Sequence, residues 1–247
     1  MRRPQLQADH RDGCHYGLKT RLATEKDEEV VVRTFGSLGY KIIVHRNLTK
    51  TEMTRELYKV SEVDHSENTS FVCVILSHGN KEGICATDGT VELKNLTYNL
   101  KGDNCVTLLG KPKLFFLQAC RGEKLDVGVV FPKPKRCEMK AGSAAPMRRR
   151  KPPPPKKIPL ESDFFYAYAT TPGYYAWRNN DRGSFFIQSL CEILPKYRDL
   201  ELMQIMTKIN RKVAYDFESS NRIQKYNENK AMPCFTSMLT KEFYFPK

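Results

Sequence analysis

No run of 18 or more apolar residues occurs in the sequence, so no helical membrane span is expected. The amino terminus, MRRPQLQADHRDG, is basic but has no apolar stretch behind it, and a secretory leader is not expected either. There is no C-x-x-C pair among the eight cysteines. Scattered cysteines in a chain read without a leader point to reduced thiols rather than a disulfide frame. Cys73, His78 and Cys85 come nearest to a ligand set, but their spacing fits no zinc pattern and both cysteines read as strand core. No metal or other cofactor is expected. Aspartate, too, is absent from one long stretch, between Asp126 and Asp163.

Positive charge is abundant, and it is concentrated. Residues 127–160 hold ten Lys or Arg against one acid, Glu138, and so carry +9 of the net +13, leaving an ordinary +4 for the rest. The same stretch contains PMRRRKPPPPKK, which favours extended polyproline II and cannot bury a core. We read residues 131–157 as a basic, Pro-rich linker between residues 17–130 and 158–247, with residues 1–16 disordered. Lacking interleaved aromatics, the linker suits nuclear import better than base reading. The expected location is therefore cytoplasmic with a route to the nucleus, and neither nucleic acid nor membrane is an expected partner.

Outside the linker, apolar runs alternate with helical patterns. Glu25 to Leu38 carries Val30, Val31, Phe35 and Leu38 at helical spacing, with acids in the first turn where the helix dipole favours them. Tyr40–Val44 reads as a strand, and Thr49-Lys50-Thr51-Glu52 as a capping box opening a helix to about Val60. Phe71–Leu76 is continuously apolar, as in a strand covered on both faces. Gly83–Val91 reads as a hairpin turning at Asp88-Gly89, and Lys94–Asn99 as a short helix. Lys113–Leu117 and Phe164–Ala169 are further buried strands, Ser184–Leu194 and the stretch around Leu202–Val213 are helices, and Phe235–Phe245 is a last strand. Strands alternating with helices imply a mainly parallel sheet, whose sites gather at the carboxyl ends of the strands.

Two of these strands end in chemistry. Phe71–Leu76 runs directly into Ser77-His78-Gly79, and Lys113–Leu117 into Gln118-Ala119-Cys120-Arg121-Gly122. A thiol near its free pKa is mostly protonated at pH 7 and needs a base to act as a nucleophile. Histidine, with an unperturbed pKa of about 6.5, is suited to that task. His78 would generate the thiolate of Cys120 or protonate a leaving amine. Gly79 leaves room for a substrate, and its N–H with that of Cys120 could form an oxyanion hole. Read alone, Cys120 is a small core residue and His78 a strand-end histidine; the two loops together favour catalysis.

The sequence Q-A-C-R-G, with Ser-His-Gly 42 residues before its cysteine, resembles the caspase signature. The likeness extends from about Gly17 to the carboxyl terminus through GKPKLFFLQACRG, PGYYAWRN, INRKVA and PCFTSMLTKEFYF, and is similar to the executioner group. It implies an α/β three-layer sandwich, a mainly parallel six-stranded sheet with helices on both faces. It also implies a zymogen cut in its linker into large (17–130) and small (158–247) subunit parts, and a homodimer, or a heterodimer with other caspases, joined through the last strand. The implied activity is that of an apoptotic cysteine endopeptidase cutting proteins at acidic motifs ending in aspartate. Arg21, Gln118 and Arg178 match the family's aspartate pocket; guanidiniums pair bidentately with a small carboxylate, and such a pocket rejects uncharged residues. Tyr175 and Trp177 resemble the apolar wall behind it, and Asn179 a contact for a second acidic residue.

The sequence departs from the family in three places. Residues 1–16 contain no hydrophobic strand, so the first strand of the sheet is expected to be missing. An alternative follows from that loss: a catalytically weak or inactive isoform that binds active caspases. The linker lacks the aspartate at which the family is processed, so activation is expected to use a protease acting on basic residues or no cleavage at all. Finally, Phe185 stands where the executioner group usually has tryptophan, and Ala176 replaces a common serine, which alters the outer pocket wall.

Overall fold

The computed structural model describes residues 5–10 in their backbone, and residues 24–128, 158–179 and 182–246 in full. The linker 131–157 and Arg21 lie outside the described residues. A six-stranded sheet forms the middle layer: β1 (Gln5–His10), β2 (Lys41–Arg46), β3 (Phe71–Leu76), β6 (Lys113–Gln118), β7 (Phe164–Tyr168) and β10 (Cys234–Ser237), in the order β10-β7-β6-β3-β1-β2. All neighbours are parallel except β10, which runs antiparallel to β7 at one edge.

The sheet has no gap where the inner strand was expected to be missing. Residues 5–10 fill it, pairing Leu6 with both Ile42 of β2 and Val72 of β3. The sequence QLQADH has no apolar run, and the ladder on both sides satisfies the backbone groups of such a segment whatever its side chains. The expectation of a missing strand, and of disorder through residues 1–16, is corrected for these six residues.

Side-chain alternation in the central strands divides the core in two. Val72, Val74 and Leu76 of β3, Leu114 and Phe116 of β6, and Phe165 and Ala167 of β7 face one layer, with α1 (Thr24–Ser37), α4 (Phe185–Lys196) and α5 (Leu202–Asp216). Phe71, Cys73 and Ile75, with Phe115, Leu117 and Phe164, face the other, with α2 (Lys50–Ser61) and α3 (Leu93–Thr97). Every residue of β3 and β6 is buried, which is why both strands read as unbroken apolar runs.

The cap of α2 forms as its sequence predicts: Thr49 Oγ1 accepts from Glu52 N, and Glu52 Oε2 accepts from Thr49 N. Two local expectations shift. The hairpin β4 (Ile84–Ala86) and β5 (Gly89–Val91) pairs Ala86 with Gly89, so the turn is Thr87-Asp88, and Asp88 Oδ1 accepts from the exposed N–H of Lys50 at the start of α2. The last strand stops at Ser237; beyond it the chain is irregular, and Phe243 and Phe245 are buried against the α1 layer, with the Phe245 ring 6.3 Å from that of Phe35. No helix among the described residues is long and apolar enough to cross a membrane.

Candidate active site

β3 and β6 are in register from Phe71↔Lys113 to Leu76↔Gln118, and Ser77 N donates to Gln118 O at 3.1 Å. His78 and Cys120 are each two residues beyond that last pair, so the sheet delivers both to one place although 42 residues separate them. Both line a cleft of about 480 Å³ at the carboxyl ends of the strands, together with Gln118, Tyr175, Trp177 and Arg178. The position is the one that parallel sheets use for their sites.

The two loops touch. A Cβ on Gly79 would lie 2.5 Å from the carbonyl oxygen of Cys120 and 3.0 Å from Gly83 O, so only glycine allows this approach. The His78 loop is pinned from behind by the hairpin: Cys85 N donates to His78 O (3.0 Å), and Ser77 Oγ donates to Cys85 O (2.7 Å). The Cys120 loop is tied to the chain leading to the pocket wall. Gly173 N donates to Arg121 O, Arg121 N to Tyr174 O and Lys124 N to Gly173 O, at 2.8–3.0 Å. A Cβ on Gly122 (φ +154°) would lie 2.3 Å from Gly173 O, which accounts for the glycine closing the motif.

Cys120 Sγ accepts from Ala176 N at 3.3 Å and faces Ala176 O at 3.8 Å, so the thiol is held against the backbone two residues before Arg178. Arg178 belongs to a short hairpin, β8 (Arg178–Asn179) with β9 (Gly183–Ser184). It is half-buried, and its Nη1 is buried with no hydrogen-bond partner among the described residues. Burial pushes its guanidinium below the ordinary range; the charges of Tyr175, Cys120 and Asp27 oppose that. Arginine nevertheless stays charged, so a cation with unmet donors lies beside the thiol. Gln118 is 1 % exposed and its Oε1 is also unpaired; a half-turn of an amide exchanges oxygen for a donor nitrogen, so either polarity can be offered there. Buried polar groups without partners are costly, and a ligand carboxylate would satisfy them.

Tyr175 and Trp177 form a wall, with ring centroids 5.3 Å apart. Asn179 Oδ1 accepts from Arg182 N at 3.0 Å within the β8–β9 hairpin, and Asn179 is not among the residues lining the cleft. The cleft has a further wall that sequence reasoning missed, Asn221, Ile223 and Tyr226, in a loop that ends in a short 3-10 turn, Gln224–Tyr226. The Trp177 ring packs at 6.5 Å against Tyr226 and 6.3 Å against Phe217, and Phe185 packs at 4.2 Å against Phe217. Nothing in the polar stretch SSNRIQKYNENK marks these residues as a cleft wall: Tyr226 is placed by the Trp177 ring, and Asn221 and Ile223 by turn bonds, Asn221 N donating to Asn227 Oδ1 and Ile223 N to Asn221 Oδ1. No group of three or more His, Cys, Asp or Glu among the described residues could hold a metal ion.

A thiol and a histidine on adjacent parallel strands, opposite a buried cation with unmet donors, are the arrangement of a cysteine-type peptidase with a pocket for an acidic side chain. A family model described as the caspase domain matches residues 13–244. Caspase-3 of Oryctolagus cuniculus is 46% identical over 230 residues, which cover 93% of this chain and 78% of that protein. Caspase-7 of Gallus gallus is 43% identical over 230 residues, covering 93% of this chain and 72% of the relative. The crystal structure of caspase-1 from Spodoptera frugiperda superposes with a TM-score of 0.88 at 33% identity, covering 100% of this chain and 92% of that one. The chain belongs to the caspase family, and within it is similar to the executioner members. It is an aspartate-specific cysteine endopeptidase of apoptosis, whose substrates are proteins. The inactive-isoform alternative is not favoured, and one of its two grounds, the missing strand, is removed by β1; the other, the linker without aspartate, is a matter of processing.

Proposed function

We propose that Cys120 is the nucleophile, that His78 moves the proton, and that the pocket formed by Gln118 and Arg178, with Arg21 from outside the described residues, receives the aspartate side chain. The Cys120 thiolate attacks the carbonyl carbon that follows that side chain. The oxyanion is held by the Gly79 and Cys120 amides, which belong to touching loops. His78 protonates the leaving amine as the C–N bond breaks, and water then hydrolyses the thioester with His78 accepting its proton. The unpartnered Arg178 Nη1, in the same cleft as the Cys120 thiol, is the observation that carries this reading. Tyr175 and Trp177 give the bound peptide an apolar face. Asn179 as the contact for a second acidic residue has weaker support, since its Oδ1 already serves the hairpin turn. An aspartyl halomethylketone peptide tests the assignment. One adduct per chain should form on Cys120 and disappear in Cys120→Ala; an adduct that persists in that variant contradicts the assignment.

The subunit division at 131–157 is also a proposal, as are dimerisation through β10, which lies at the edge of the sheet, and a cytoplasmic location with nuclear access through the basic linker. Partners are taken to be acidic protein substrates and further caspase chains, not nucleic acid or membrane. The two aspartates flanking the linker support processing that does not use them. Asp126 O accepts from Lys230 N at 2.7 Å and its Oδ1 from Gly128 N at 2.9 Å. Asp163 is 1 % exposed, with Oδ1 accepting from both Thr240 N and Thr240 Oγ1. Asp163 is closed to a protease by burial, and Asp126, though only half-buried, has its backbone engaged by Lys230.

A further inference from the structure

A hairpin of two residue pairs, Arg178↔Ser184 and Asn179↔Gly183, cannot fix a guanidinium by itself; an isolated two-stranded ribbon is at best marginally stable. This one is held by a side chain from a distant part of the sequence, on a neighbouring helix of the same layer. Asp27, in the first turn of α1, is 1 % exposed. Its Oδ1 and Oδ2 accept from Ser184 N at 2.9 and 3.1 Å, and Oδ1 also accepts from Gln188 Nε2 of α4 at 2.9 Å. Ser184 is the residue paired with Arg178 across the hairpin, and is itself wholly buried. The fit is tight enough to dictate the neighbouring residue: a Cβ on Gly183 would lie 2.3 Å from Asp27 Oδ1 and 2.6 Å from Gln188 Nε2.

We infer that Asp27 is a positioning residue for substrate selection: by holding Ser184 and Gln188 it sets the hairpin, and through it Arg178, at the depth where a substrate aspartate is bound. This inference rests on the proposed role of Arg178. Two features separate Asp27 from an ordinary helix-start acid. It faces inward, and its charge is one of those that act on the Arg178 guanidinium, offsetting the cost of burying it. Asp27 also lies six residues after Arg21, so the helix that holds the hairpin follows directly on the segment carrying the other expected pocket arginine.

The test is peptide binding, by calorimetry, to the full chain carrying Cys120→Ala, which cannot turn its ligand over. Two tetrapeptides are compared, identical except for a final aspartate or asparagine. The parent should prefer the aspartate peptide. Adding Asp27→Asn, which keeps the shape but removes one acceptor, should weaken the aspartate peptide about tenfold and leave the asparagine peptide within about twofold. That is the scale expected when a binding group is displaced by a fraction of an ångström. Gln188→Leu, which leaves the carboxylate in place, should shift the same preference in the same direction by less. A purely structural role would weaken both peptides alike or lower thermal stability without changing their ratio, and that result overturns the inference. A parent with no preference for aspartate overturns the pocket assignment and this inference together. A parent that prefers aspartate equally with and without Asp27→Asn overturns the inference alone.

Discussion

On one side of the cleft, His78 and Cys120 leave two central strands paired over six residues and buried on both faces. On the other side, Arg178 sits in a hairpin of two pairs, secured by a carboxylate from the neighbouring helix α1 and by aromatic contacts among Trp177, Phe217 and Tyr226. The reacting groups are therefore positioned by main-chain ladders, which sequence change alters little. Gln118 shares that ladder, but the selecting groups beyond it, Arg178 and the aromatic wall, are positioned by individual side chains, which can be exchanged one at a time. The difference places Phe185, packed on Phe217, on the exchangeable side, whereas Ala176 serves both sides because its N–H donates to the Cys120 thiol.

The largest break in this comparison comes from the selecting side. Arg178→Ala should lower kcat/KM for an aspartate-ending peptide by about 10³-fold, chiefly through KM, because the pocket loses one of its two proposed cations while the thiol keeps its place. Alkylation of Cys120 by iodoacetamide should change little in this variant; a parallel collapse of thiol reactivity would mean that the two sides are not separable. Gly79→Ala strikes the other side. The added Cβ meets Cys120 O at 2.5 Å and must push the His78 and Cys120 loops apart, so kcat should fall about 10²-fold with KM nearly unchanged. A rise in KM with kcat retained would show instead that Gly79 serves binding.

The smallest effect comes from the far end of the β6 strand. Lys113 is 1 % exposed, and burial pushes its ammonium down to about 8, against the small raising effect of the Asp163 charge. The unfolded chain, with an ordinary lysine near about 10.4, binds that proton more readily between roughly pH 8 and 10. Stability contributed at this site should therefore rise with pH across that window, by at most about 1.4 kcal/mol per unit. Urea unfolding of the chain and of Lys113→Met from pH 7 to 10 isolates the effect, and the variant should show the flatter curve. Turnover per folded molecule at pH 7 should be equal in the two proteins, since Lys113 is at the end of the strand remote from the cleft.

The parts of this molecule that were legible in its sequence are those where one physical demand fixes several neighbouring residues. Burial on both faces made β3 and β6 continuous apolar runs, and a capping box announced α2. The thiol and histidine followed from where those runs stop. β1 was illegible because a strand paired on both sides by its backbone can read QLQADH. The sequence FTSMLTKEFYF reads as strand throughout because its aromatic and β-branched residues continue after pairing ends at Ser237; Phe243 and Phe245 are buried by an irregular tail instead. Asp27 was hidden by its company: in Glu25-Lys26-Asp27-Glu28-Glu29 it reads as one more acid favoured by the helix dipole. In the structure Asp27 faces the hairpin, and Glu28, also buried, pairs with Arg46 at the end of β2. The wall formed by Asn221, Ile223 and Tyr226 is shaped by local side-chain bonds, Ile223 N to Asn221 Oδ1 and Asn221 N to Asn227 Oδ1, but its place beside the cleft comes from tertiary packing, which leaves no apolar period in the sequence.

The most direct test of the account is the ratio of kcat/KM for two fluorogenic acidic tetrapeptides, one ending in aspartate and one in asparagine. It should be measured on the full chain, on the chain nicked in its basic linker by brief trypsin treatment, and on Cys120→Ala. The account predicts a preference for aspartate of at least about 10³-fold in the active samples and no turnover by Cys120→Ala. Comparable turnover of both peptides, or hydrolysis that survives in Cys120→Ala, would contradict it.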